Sequence, residues 1–235
     1  MKRILIAGAL ALAAGGQALA ADLPQPGPPP TPRAPSTYVP TTAPVYNWGG
    51  IYFGINGGYG FGTSNWTPAA PFIPTGNFST SGFLAGGTLG ANYQMGAFVL
   101  GIEGDGDWTN LSGSVTCTRG YTCQTSSDWL ATARGRIGYA FDRILLYGTG
   151  GGAAGNIKAY NSASGGTDSN TEYGWTAGAG IEAALAQNWT VKVEYLYVDL
   201  ANGACTTSCP GGFAPVAVSF TESLVRAGIN YKFNF

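Results

Sequence analysis

The stretch Ser223 to Phe235 reads Ser-Leu-Val-Arg-Ala-Gly-Ile-Asn-Tyr-Lys-Phe-Asn-Phe, and it alternates. Val225, Ala227, Ile229, Tyr231, Phe233 and Phe235 share one parity and are apolar. Arg226, Gly228, Asn230, Lys232 and Asn234 share the other. A period of two puts successive side chains on opposite faces of a strand, so this segment has one apolar and one polar face. A strand closing a soluble sheet seldom stops on a bare aromatic. The closing strand of a transmembrane barrel does, because it meets lipid outside and a polar lumen inside. Composition agrees: 10% of the 235 residues are charged, against about 25% in ordinary soluble proteins, 38 are Gly and 13% are aromatic. Mean hydropathy is only +0.06, so no long apolar helix accounts for the low charge. A secreted all-β protein is the other reading of this composition, but it would carry more charge on its exposed face.

Met1 to Ala20 reads as a secretory signal. Lys2 and Arg3 form its basic end, Ile4 to Ala14 is an apolar run too short to span a bilayer, and Ala18-Leu19-Ala20 is an A-x-A site. Cleavage between Ala20 and Ala21 is expected. Residues 21–45 hold nine prolines, from Pro24 to Pro44. Proline fixes φ and removes donors, so this segment is expected to be a polyproline or disordered linker. It is either a plain spacer or a periplasmic tether reaching peptidoglycan or periplasmic proteins.

Residues 46–235 then show eight strand-like runs. The faces expected to meet lipid carry Ile51, Phe53, Ile55, Tyr59 and Phe61; Phe83, Leu89 and Tyr93; Phe98, Leu100, Ile102 and Trp108; Trp129, Ile137, Tyr139 and Phe141; Leu145, Tyr147, Ala153 and Ile157; Tyr173, Trp175 and Ile181; Trp189, Val193, Tyr195 and Tyr197; and the terminal run. The connections alternate long and short. The long ones include one with Cys117 and Cys123, one through Ser162, Gly165, Gly166 and Asp168, and one with Cys205 and Cys209. Short periplasmic turns, longer outer loops, an even strand number and aromatics gathered at run ends are the pattern of an outer-membrane barrel. The expected fold is therefore all-β: an eight-stranded antiparallel transmembrane up-and-down barrel in the Gram-negative outer membrane, surrounded by its lipid.

The opposite parities collect Glu103, Asp105 and Asp107 on the third run, Arg134 and Arg136 on the fourth, Glu182 on the sixth, Lys192 and Glu194 on the seventh, and Arg226 and Lys232 on the eighth. A basic side chain facing lipid at mid-bilayer costs ~2–4 kcal/mol, whereas one in the lumen can pair. Cross-strand pairs between Glu103 or Asp105 and Arg134 or Arg136 are expected. Such charges could line a conducting or catalytic lumen, or fill a barrel whose interior is just wide enough for side chains.

Several chemistries are excluded. There is no His, which removes Ser-His-Asp and Cys-His catalysis and His-ligated metal or haem. No nucleophile has a base beside it. Gly150-Gly151-Gly152-Ala153-Ala154-Gly155 matches G-x-G-x-x-G, but no helix follows, so a dinucleotide site is not expected. Net charge is −1, and about −3 once Lys2 and Arg3 leave with the signal, the wrong sign for nucleic acid. No cofactor and no enzymatic activity are expected. In an oxidising compartment the four cysteines suit disulfides, the local pairs Cys117–Cys123 and Cys205–Cys209 being one of three connectivities. A four-cysteine zinc site is the alternative.

Tyr46-Asn47-Trp48-Gly49-Gly50-Ile51-Tyr52-Phe53-Gly54 resembles the entry strand of small alphaproteobacterial porin-family surface barrels. Trp175 to Glu182, Trp189 to Tyr197, Leu145 and Tyr147 with Gly150-Gly151, the ending Asn230-Tyr231-Lys232-Phe233 and the Ala-Asp-Leu-Pro start at Ala21 are similar to the same family. The resemblance implies an OmpA-like or opacity-like barrel inserted by the barrel-assembly machinery through its C-terminal aromatic strand, here Tyr231, Phe233 and Phe235. It also implies relatives that bind haem or act as surface antigens. With no His, iron ligation would fall to Tyr. Three functions follow as expectations: a non-enzymatic barrel that stiffens the envelope and displays its loops, a small-solute porin, or a surface protein whose loops bind haem or a host protein.

Overall fold

The computed structural model describes residues 46–67, 76–116, 120, 122–162, 166–205 and 216–233. The cleavage site at Ala20 and Ala21, the linker over 21–45, Cys117, Cys209 and Phe235 lie outside the described residues.

Eight strands follow one another: β1 (Gly50–Thr67), β2 (Asn77–Met95), β3 (Phe98–Thr116), β4 (Thr122–Phe141), β5 (Ile144–Asn161), β6 (Gly166–Ala184), β7 (Trp189–Cys205) and β8 (Val216–Phe233). Each pairs antiparallel with the next, and β8 returns to β1 with Ile51 opposite Phe233, so the barrel is closed. Closure satisfies the backbone of both would-be edge strands, which hydrocarbon requires.

Stepping across paired residues from Tyr52 through Gly90, Glu103, Arg134, Gly151, Thr176, Val198 and Glu222 returns to β1 at Gly62. The circuit is thus staggered by ten residues, from 52 to 62. With about 3.3 Å per residue and about 4.8 Å between strands, that stagger tilts the strands ~40° and gives a backbone radius of ~8 Å. Such a bore holds side chains and little else.

The outward parity carries two aromatic bands. Phe98 packs against Tyr139, Trp189 against Tyr231, and Phe53 against Tyr231 and Phe233 near the short turns. Tyr59 packs on Phe83 and Trp175 on Tyr197 toward the other end, where Trp108 stands 77% exposed. Exposure on this scale is what lipid would cover.

Two expectations from the sequence are corrected. Leu145, Tyr147, Ala153 and Ile157 are buried in the lumen; Ile144 and Leu146 face out instead. Both parities of residues 144–147 are apolar, so alternation alone could not choose. The two-residue turn at Asp142 and Arg143 chooses, by pairing Ile144 with Phe141. The long connections are also shorter than expected. Gly166 and Asp168 belong to β6, paired with Asn161 and Ala159, while Cys123 lies in β4 and Cys205 ends β7. Ser-, Thr- and Asn-rich hairpins can extend the ladder beyond the bilayer because water accepts both faces. Cys123 is fully buried and disulfide-bonded.

Candidate functional site

The lumen is the one place where chemistry is concentrated among the described residues. Glu103, Asp105, Asp107, Arg134, Arg136, Glu182, Lys192, Glu194, Arg226 and Lys232 are all buried, none more than 7% exposed. Each sits on the inward parity of its strand, and the barrel brings strands from opposite walls within reach.

Arg134 on β4 is the hub of one half. Its Nη2 donates to Glu103 Oε1 at 2.5 Å and Asp105 Oδ2 at 2.7 Å, while Nη1 crosses the bore to Glu194 Oε2 on β7 at 2.9 Å. Arg226 on β8 is the hub of the other. Its Nη1 meets Asp105 Oδ1 and Asp107 Oδ2, each at 2.7 Å, and its Nε donates to Glu194 Oε1 at 2.9 Å. Asp105 and Glu194 therefore each join both arginines. Planar guanidinium forks suit this divided donation, which a point-like ammonium would not provide as well.

A second tier lies toward the short turns. Arg136 donates to Glu182 Oε2 at 2.8 Å and to the Tyr52 hydroxyl at 3.0 Å, and its guanidinium lies 3.9 Å from the centre of the Tyr147 ring. Tyr52 in turn donates to Glu103 Oε2 at 2.7 Å, where Lys192 Nζ also arrives at 3.0 Å. Thr190 and Asn230 donate to the remaining oxygen of Glu182. The two tyrosines fit because glycine stands beside them. A Cβ at Gly90 would come within 2.4 Å of the Tyr52 ring, and one at Gly180 within 2.6 Å of Tyr147. Buried ions are tolerable only when paired and further hydrogen-bonded in this way.

Apolar layers bound the ionic one on both sides. Toward the long loops, Leu84, Leu130, Ile157, Leu196, Leu200, Phe220 and Leu224 form a buried cluster. Toward the short turns, the residues preceding β1 enter the mouth. Trp48 is 1% exposed; its indole Nε1 donates to Asp142 O at 2.9 Å and its backbone N–H to Gln94 Oε1 at 2.6 Å. Tyr46 packs edge-on to it at 4.8 Å, donates to Gln187 O at 3.2 Å and receives Lys232 at 4.4 Å from its ring centre. Burial pushes the Tyr46 phenol up to about 12, so it remains a donor. All three short turns are thereby tied to one segment. Lys232 serves this cap, donating to Asn47 O, rather than the ionic layer.

Sequence reasoning missed some of these residues. Tyr52, Tyr147, Tyr46 and Trp48 were readable only as aromatics. Glu222 was also missed, although it shares parity with Leu224 and Arg226. It is 2% exposed, and neither of its carboxylate oxygens has a partner among the described residues. With it, the buried acids outnumber the buried bases by one among the described residues.

A sequence profile described as the outer membrane protein beta-barrel domain matches residues 33–233. The 31 kDa outer-membrane immunogenic protein of Brucella melitensis is 39% identical over 220 residues, covering 83% of this chain and 88% of that protein. The 22 kDa outer membrane protein of Rhizobium leguminosarum bv. viciae is 32% identical over 190 residues, covering 81% and 80%. Among solved structures, the attachment invasion locus protein Ail of Yersinia pestis is similar at 14% identity and a TM-score of 0.39, covering 78% of this chain and 99% of that one. The chain belongs to the outer membrane protein beta-barrel family and is an integral protein of the Gram-negative outer membrane.

Proposed function

We propose that this protein is a non-enzymatic, non-conducting barrel that stiffens the envelope and displays its long-loop end at the cell surface. One observation carries the reading: Arg134 and Arg226 link β3, β4, β7 and β8 across the bore through side chains with no exposed surface, between two apolar layers. A conducting lumen would instead keep its charges wet. The missing His and the commitment of every acid in the ionic layer to a cation or hydroxyl also weigh against catalysis. Relatives named as immunogenic outer-membrane proteins support a surface-display role.

Planar-bilayer recording with folded protein, checked by heat-modifiable gel mobility, tests this. The expected trace shows no steady unitary steps. Reproducible steps of one size would replace this reading with the small-solute porin.

A further inference from the structure

The outward face of the short-turn half carries a groove of ≈ 720 Å³. Gly148 on β5 and Ala179 on β6 pair to form its floor, and Ile137 on β4 and Tyr195 on β7 are its walls in the same row. Crowding does not demand glycine at 148: a Cβ there would meet nothing nearer than Gly178 O at 3.9 Å. The missing side chain therefore gives depth instead of relieving a clash. The low floor continues through Gly150 and Ala177 in the next row and ends at Trp175, opposite Gly152. The low floor lies between the large side chains of Ile181 and Trp175, whose positions on β6 are about 20 Å of strand apart. At a tilt of ~40° that is ~15 Å of depth, one leaflet of a ~30 Å hydrocarbon core.

Arg143 lies in the turn at the same end of the barrel as this groove, within electrostatic reach of Tyr46. It is the second residue of the β4–β5 turn, three positions before Leu146, which lines the groove. It is exposed and makes no ion pair among the described residues, and the carboxylate beside it, Asp142, accepts the Tyr46 backbone N–H at 3.1 Å. The other short turns, over residues 96–97 and 185–188, carry no charge.

We propose that this groove seats one acyl chain of a phospholipid from the periplasmic leaflet, with its phosphodiester held by Arg143. The charge complement and the one-leaflet depth together select this occupant. The guanidinium fork donates to two phosphate oxygens, and the glycine floor admits a chain where neighbouring outward positions carry large side chains.

Native mass spectrometry of the full-length protein, incubated with phosphatidylglycerol in mild detergent, reads the site. The wild type should retain one phospholipid. Gly148→Leu and Ala179→Val should each reduce retention, the former about tenfold. Gly87→Leu, on the outward face of β2 where a Cβ meets only Gly54 O at 3.7 Å, should leave it unchanged. Arg143→Gln should weaken phosphatidylglycerol but not a diacylglycerol of the same chains. Heat-modifiable mobility certifies that each variant is folded. Equal retention by wild type and both groove variants, or equal loss in Gly87→Leu, would mean annular lipid only and overturn the proposal. A wild-type dimer that Gly148→Leu converts to monomer would also overturn it, giving the groove to a second copy of the chain.

Discussion

The ionic layer and the apolar layer above it occupy the same bore, one inward position apart on β8: Arg226 belongs to the first and Leu224 to the second. They hold the barrel by different means. Leu224 stabilises by removing area from water and filling volume; it and Leu111 occupy the space that a side chain at Gly60 would claim. That contribution is non-directional and scales with buried surface. Arg226 works only if Asp105, Asp107 and Glu194 are where they are. An ionic layer is therefore a demanding way to fill a tube, since replacing it wholesale by apolar groups need not cost stability, whereas breaking one member leaves a charge stranded. Its return is specificity: each guanidinium fork fixes the relative position of strands far apart in sequence, β3 against β8 and β4 against β7.

The largest effect is expected from Arg226→Leu. It leaves three carboxylates short of a cation and should cost about 3–5 kcal/mol in denaturant unfolding from detergent or lipid. A loss below that of the next variant would show that the ionic layer acts as simple filler. Leu224→Ala should cost about 2–4 kcal/mol, because the packed bore cannot collapse onto the cavity. A near-zero effect there would place the stabilisation elsewhere, in the aromatic bands or the backbone ladder.

The smallest effect is expected from Glu222→Gln, and with the opposite sign. Glu222 lies in the apolar half with no partner for either oxygen, so neutralising it removes a buried carboxylate that nothing compensates. Stability should stay within about 1 kcal/mol of wild type, on the stabilising side. A loss comparable to that of Arg226→Leu would mean that Glu222 has a partner in solution and belongs with the ionic layer. These three variants, measured together, separate burial from charge pairing on neighbouring positions of one strand.

Strand existence was legible from alternation, most clearly in β8, where Val225, Ile229 and Phe233 face out and Arg226, Asn230 and Lys232 face in. β3 was equally clear, because three acids at 103, 105 and 107 can only face a lumen. β5 was not, because Ile144 and Leu146 compete with Leu145 and Tyr147 for the outward face. The hairpins at Gly166 and Cys123 were not legible for a related reason: outside the bilayer a strand needs no apolar face, so polar residues carry no period.

The amino-acid order alone determined that this chain would make strands with one face for lipid and one for a charged interior, because a period of two and a scarcity of charge leave few other uses for such a sequence. It also supplied the cross-strand neighbours Glu103 and Arg134, which face each other on adjacent strands. Only closure decided the rest. Arg226 meets Asp105 and Asp107, some 120 positions earlier, because a ten-residue stagger around eight strands sets which levels share the bore. Trp48 seals the mouth because the short turns supply Gln94 and the Asp142 carbonyl around it. Contacts across a tube depend on its stagger and circumference, and those are properties of the whole closed ring of hydrogen bonds, which no single strand encodes.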